Sequence, residues 1–71
     1  MTAPMQLSTR QRQILVLLSE GRSNKEIARE LGTSPRTVDS HLQRLYARNG
    51  VNSRVALVVK WLKAEPAAGE D

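Results

Sequence analysis

Four stretches of the chain carry apolar residues at helical spacing, and each opens on a residue that suits a helix start. In the first, Ser8 stands three residues before Gln11, the spacing of a capping box. The hydroxyl accepts from the Gln11 amide while the Gln11 side chain reaches back. At about 100° per residue, Gln11, Ile14, Leu15, Leu17 and Leu18 share one side, Val16 points away, and Gly21 offers a stop. A second capping box, Ser23 with Glu26, precedes a face of Ile27, Ala28 and Leu31, with Lys25 and Arg29 opposite and Gly32 at the end. The third stretch begins at Ser34, with Pro35 where a missing amide costs nothing. Val38, Leu42 and Leu45 form its stripe, His41 and Tyr46 flank it, and Asn49-Gly50 closes it, with Asn49 read as a cap.

The fourth stretch, from Asn52 or Ser53 to Lys63, is apolar on two sides. Leu57, Val58 and Trp61 form one stripe; Val55, Val59 and Leu62 form another, nearly opposite. A surface helix needs one stripe for the core, so the second calls for a partner. The pattern therefore predicts an all-α fold with helices at about 9–20, 24–31, 35–48 and 53–63, joined by short connections. Residues 1–6 are expected as a flexible arm, 7–63 as the domain, and 64–71 as a disordered acidic tail.

Charge sharpens this picture. All eleven Lys and Arg residues lie at or before Lys63 but only four of the seven acids do, so that stretch carries +7 and the last eight residues −3. Such an excess on a small body points to an acidic partner, of which nucleic acid is the commonest. The chain has no Cys and a single His, which removes disulfides, thiolate metal sites and cysteine nucleophiles, and His41 cannot build a zinc site without unusual carboxylate help. No metal or other cofactor is expected. The longest apolar runs, Ile14–Leu18 and Val55–Val59, are far short of a membrane span, and the N-terminus lacks the form of a signal peptide. The expected location is the cytoplasm, on the nucleoid when bound to DNA. With no Phe, one Trp and one Tyr, stacking on single-stranded bases is a poor fit.

The second helix, the Gly32-Thr33 turn and the third helix have the layout of a helix-turn-helix, in which the first helix braces the backbone and the second enters the major groove. The residues make this specific. Leu7-Ser8-Thr9-Arg10-Gln11, Leu17-Leu18-Ser19-Glu20-Gly21, Ser23-Asn24-Lys25-Glu26-Ile27-Ala28, Leu31, Ser34, Thr37-Val38, His41-Leu42, Val51 and Ser53-Arg54 stand in one ordered pattern. This pattern, from Leu7 to about Trp61, resembles the C-terminal DNA-binding domain of LuxR/GerE-type (NarL-type) bacterial transcription regulators.

The resemblance implies a four-helix domain that reads double-stranded DNA with its third helix and pairs two copies through its fourth. It also implies base-facing positions at Asp39, Ser40 and Gln43. From the residues alone, the face opposite Val38, Leu42 and Leu45 is Arg36, Ser40, Gln43 and Ala47, flanked by Asp39 and Arg44. Gln43 suits adenine in a bidentate pair, and Ser40 serves several bases. Asp39 departs from the family, where lysine is common; it either accepts from cytosine or stands aside, paired with Arg36 or Lys25. Asn49 also departs, standing where the family usually has leucine.

For the phosphates, the starts of helices two and three offer amides together with Ser23, Asn24, Ser34 and Thr37, while Lys25, Arg36, Arg44 and Arg48 supply charge. Each serine can equally be a plain cap, and each base a solvated charge. Arg54 matches a characteristic arginine of the family and is expected to tie helix four to the body. His41, beside the apolar stripe, is read as a packed histidine. Val55, Val59 and Leu62 are the expected faces of a weak homodimer on an inverted repeat. The alternative function is an interaction module that docks on RNA polymerase or a partner regulator without reading DNA. Nothing resembles a nucleophile–base pair or a phosphate loop, so an enzyme is not expected. Family members commonly carry a receiver or ligand-binding part, which 71 residues cannot also hold.

Overall fold

The computed structural model describes residues 5–64. They form four helices: α1, Thr9–Ser19; α2, Asn24–Leu31; α3, Pro35–Asn49; and α4, Arg54–Ala64. No strand occurs among the described residues. The helix bounds agree with the sequence pattern to within one residue, and three or four residues join each pair.

The starts follow local chemistry. At α1, Ser8 Oγ accepts from the Gln11 amide at 3.1 Å and Gln11 Oε1 accepts from the Ser8 amide at 3.1 Å. At α2 the reciprocal pair joins Ser23 and Glu26 at 3.1 and 2.9 Å. Ser34 caps α3 through the Thr37 amide, and Ser53 caps α4 through the Ala56 amide, both at 3.1 Å. Each such cap is worth about 1 kcal/mol.

The turn between α2 and α3 depends on Gly32, whose φ of +69° lies in the left-handed region. A Cβ there would meet no atom within 4 Å, so the need for glycine is conformational rather than steric. The turn is closed by the Thr33 amide donating to the Ala28 carbonyl at 2.9 Å, which satisfies a helix-end acceptor. At the end of α3 it is Gly50, φ +65°, that takes the left-handed position. Asn49 contributes differently: its Nδ2 donates to the Leu45 carbonyl at 2.8 Å, still within the helix.

One core joins the helices. Ile14, Leu15 and Leu18 of α1 meet Ile27 and Ala28 of α2, Val38, Leu42 and Leu45 of α3, and Leu57 of α4. α2 packs chiefly on α3, and α4 lies against α1 and α3. Two boundaries differ from the sequence reading. Met5, assigned there to the flexible arm, is only 9% exposed and belongs to the core. Ala64, assigned to the tail, is the last helical residue and is half-buried against the core. In both cases an apolar side chain beyond the periodic segment finds room on the bundle, which a local pattern does not register. The rest of the arm, residues 1–4, and of the tail, residues 65–71, lies outside the described residues.

Candidate nucleic-acid interface

Burying Val38, Leu42 and Leu45 fixes the rotation of α3, and with it what the helix turns outward. Arg36, Asp39, Ser40, Gln43, Arg44 and Ala47 are all exposed. The three base-facing candidates, Asp39, Ser40 and Gln43, are thus brought onto one side of a single helix. Asp39 forms no ion pair with Arg36 or Lys25; the ion pairs of the described residues include those of Arg22 with Glu20, at 3.8 Å, and Glu30, at 3.5 Å. The side chains of Lys25, Arg36 and Arg44 make no hydrogen bond or ion pair within the described residues.

The other phosphate candidates are less free. Ser23 and Ser34 spend a lone pair each on capping, and the Ser34 and Thr37 hydroxyls lie 3.0 Å apart. Arg48 Nη1 donates to the Gln6 carbonyl at 3.4 Å, which ties the end of α3 to the segment before α1. Asn24 Oδ1 accepts from Arg54 Nη1 at 3.3 Å, while Arg54 Nη2 donates to the Arg22 carbonyl at 2.8 Å. Arg54 therefore holds the start of α4 to the turn before α2, as expected. At the other end of the chain's last turn, Lys60 Nζ donates to the Asn49 carbonyl at 2.9 Å.

Arg10 has a position that the sequence reading did not single out. Its Nη1 donates to the Leu31 carbonyl at 3.2 Å, at the C-terminus of α2, where a cation is also favoured by the helix dipole. Its partner is twenty-one residues away, so no local spacing could have revealed the contact. His41 lies nearby, half-buried on the flank of α3. Burial lowers its basicity below the usual histidine value, and the charges of Arg44 and then Arg10 lower it further. Its Nδ1 is buried without a hydrogen-bond partner.

On α4 the inward stripe is Leu57, fully buried, with Val58 and Trp61 half-buried beside it. The outward residues Val55, Val59 and Leu62 are 73, 43 and 61% exposed. A groove of about 570 Å³ adjoins the start of α4, lined by Val55, Val58, Val59 and Arg54 of that helix together with Arg22 and Glu26. No group of three or more metal-ligating side chains occurs among the described residues, and no helix there is long and apolar enough to cross a membrane.

Comparison with known proteins places this arrangement. The family described as bacterial regulatory proteins, luxR family, matches residues 5–61, so it takes in Met5 and all but the last turn of α4. Over 48 residues, 68% of this chain, the sequence is 54% identical to YhjB of Escherichia coli, a protein assigned as an HTH-type transcriptional regulator. Over 54 residues, 76% of the chain, it is 43% identical to the response regulator Rre1 of Synechocystis. Over 52 residues, 73% of the chain, it is 52% identical to Rv0890c of Mycobacterium tuberculosis, also assigned as an HTH-type transcriptional regulator. The chain spans 24, 23 and 6% of the lengths of these three relatives. With the capped α2, the Gly32 turn and the outward face of α3 in place, the chain belongs to the luxR family of bacterial regulatory proteins, as a helix-turn-helix DNA-binding domain.

Proposed function

We propose that this chain regulates transcription by sequence-specific binding to double-stranded DNA, with α3 in the major groove and α4 pairing two copies on an inverted repeat. The observation that carries the reading is the exposed row on α3, polar and opposite a fully buried stripe. Gln43 and Ser40 read base edges there, and Asp39, free of an internal ion pair, selects by accepting from cytosine or by repelling a misplaced phosphate. Lys25, Arg36 and Arg44 hold phosphates, together with the amides that open α2 and α3. Ser23, Asn24, Ser34 and Thr37 act at the same surface chiefly by holding those helix ends in place, and Arg48 by tying the far end of α3 to the segment before α1.

The outward stripe of α4 supports pairing. Two recognition helices set about one DNA turn apart by a two-fold axis would read an inverted repeat. Three exposed side chains per copy make an interface near or below the ~1,000 Å² of a stable dimer, so pairing is weak in solution and strengthened on DNA. The site of action is the cytoplasm, on the nucleoid.

The test is the salt dependence of binding to duplex DNA. Two copies that together neutralise about 6–10 phosphates should give a slope of log K against log salt of roughly −5 to −9. A flat response, with equal affinity for unrelated acidic polymers, would favour a module that docks on RNA polymerase or another regulator instead.

A further inference from the structure

α4, read above as the pairing helix, is fastened to the helix-turn-helix at both ends of that unit. Arg54 Nη2 donates to the Arg22 carbonyl, just before α2, at 2.8 Å, and Nη1 donates to the side chain of Asn24, the first residue of α2, at 3.3 Å. Six residues on, Lys60 Nζ donates to the carbonyl of Asn49, the last residue of α3, at 2.9 Å. Both carbonyls sit on backbone that is itself held. The Arg22 amide donates to the Leu17 carbonyl at 3.2 Å, and the Val51 amide to the Tyr46 carbonyl at 3.0 Å. The Asn49 carbonyl also ends a helix, where no intrahelical donor remains and a cation is favoured. Between the two ties lies Leu57, the one residue of α4 that is fully buried. At about 100° and 1.5 Å per residue, Arg54 and Lys60 lie about 4.5 Å to either side of Leu57 along the axis and about 60° to either side around it. Val55, Val59 and Leu62 point the opposite way, outward. A helix held by one buried side chain can roll and tilt about it, and a tie on each flank opposes both motions. Arg54 and Lys60 are exposed, so water competes for these bonds and each adds little to stability. What they add is a fixed angle.

We infer that Arg54 and Lys60 are positioning residues that set which spacing between two DNA half-sites a pair of copies accepts. The inference rests on the reading of α3 as the base reader and α4 as the pairing helix. In a two-fold pair, any play between α4 and α3 within one copy reappears at the groove, enlarged by distance. With recognition helices about 34 Å apart, a roll of about 10° over half that distance moves α3 by about 3 Å, close to the ~3.4 Å rise of one base pair. Ties that hold the roll well below that make the pair reject a repeat one base pair too long or too short. Without them the same pair accepts several spacings. Neither residue needs to touch DNA for this effect.

The experiment compares duplexes carrying the inverted repeat that the chain itself selects, at its preferred spacing and with one base pair added or removed. The readout is the ratio of affinities between spacings, in which any general loss of phosphate contact cancels. The unmodified chain should favour the preferred spacing by about tenfold or more, because a pair that cannot reach both half-sites loses its avidity. Arg54→Ala with Lys60→Ala should bring the ratio down to about threefold or less, with the half-site sequence preference unchanged. Alanine suits a helix, so α4 itself is not weakened by the changes. Lys60→Arg, which keeps a cationic donor, should retain the full ratio. An undiminished ratio in the double variant overturns the inference and leaves both residues as plain surface ties. If the double variant melts below the temperature of measurement, Lys60→Ala alone decides. Its ratio should fall below that of the unmodified chain, and an equal ratio overturns the inference. An unmodified chain that binds every spacing alike would instead remove pairing through α4, and one that binds no duplex would remove the DNA-binding reading itself.

Discussion

α3 and α4 each bury one side in the same core and leave the other uncovered, but the uncovered sides differ in kind. On α3 it is Arg36, Ser40 and Gln43, flanked by Asp39 and Arg44. On α4 it is Val55, Val59 and Leu62. Water satisfies the first surface without cost, so what the α3 face offers a partner is direction: donors, acceptors and charge at fixed places. Water is a poor neighbour for the second, and covering it gains about 25 cal/mol per Å² whatever apolar surface does so. The α3 face is suited to telling one ligand from another, and the α4 stripe to holding on to something once it is close. A domain that reads DNA in pairs needs both.

Both faces depend on Leu57, which anchors α4 on the shared core. Leu57→Ala should cost about 2–5 kcal/mol of stability by chemical denaturation, a large share of what so small a core supplies. It should abolish DNA binding as a consequence of unfolding. Val59→Glu strikes the outward side of the same helix and should separate the two surfaces. Folding and binding to a single half-site should survive, and cooperative occupancy of two half-sites should vanish. If Val59→Glu unfolds the domain, the stripe is part of the core; if cooperativity persists, another surface joins the copies. A smaller effect is expected at the start of α3. Ser34→Ala removes the hydroxyl that caps the Thr37 amide and should cost about 1 kcal/mol, with affinity for all DNA sequences reduced alike.

The smallest effect concerns pH. His41 in the folded domain sits below its ordinary value because of burial, then Arg44, then Arg10. The folded state therefore holds fewer protons than the unfolded chain just below pH 6.5. Stability should be full above that pH and decline as pH falls towards the folded value. A melting temperature that drops on acidification to pH 5, less so in His41→Gln, checks this.

Much of this architecture was legible in the sequence because its causes are local. Ser8 with Gln11 and Ser23 with Glu26 sit at the spacing that lets each side chain reach the other's amide, and Gly32 and Gly50 stand where the backbone turns left-handed. The two stripes of α4 and the outward row of α3 follow from helical period alone. Contacts that join distant parts of the chain were not legible. Met5 reaches the core from outside the periodic segments, and Arg10 finds the Leu31 carbonyl across the bundle. Asn49 could be read as a cap beside Gly50, but not as a side chain that bonds back to Leu45 while its carbonyl receives Lys60. Arg54 is an intermediate case: its role as a tie was expected from resemblance, while its acceptors, Asn24 and the Arg22 carbonyl, required the fold.

If the exposed row of α3 reads sequence, selection of duplexes from a random pool will show it. The unmodified chain and Gln43→Ala would be used side by side. The unmodified chain should enrich an inverted repeat. Gln43→Ala should lose preference at one position of each half-site, at a cost of about 1–3 kcal/mol for the best site, with non-specific binding unchanged. An identical set of enriched sequences from both proteins would contradict it.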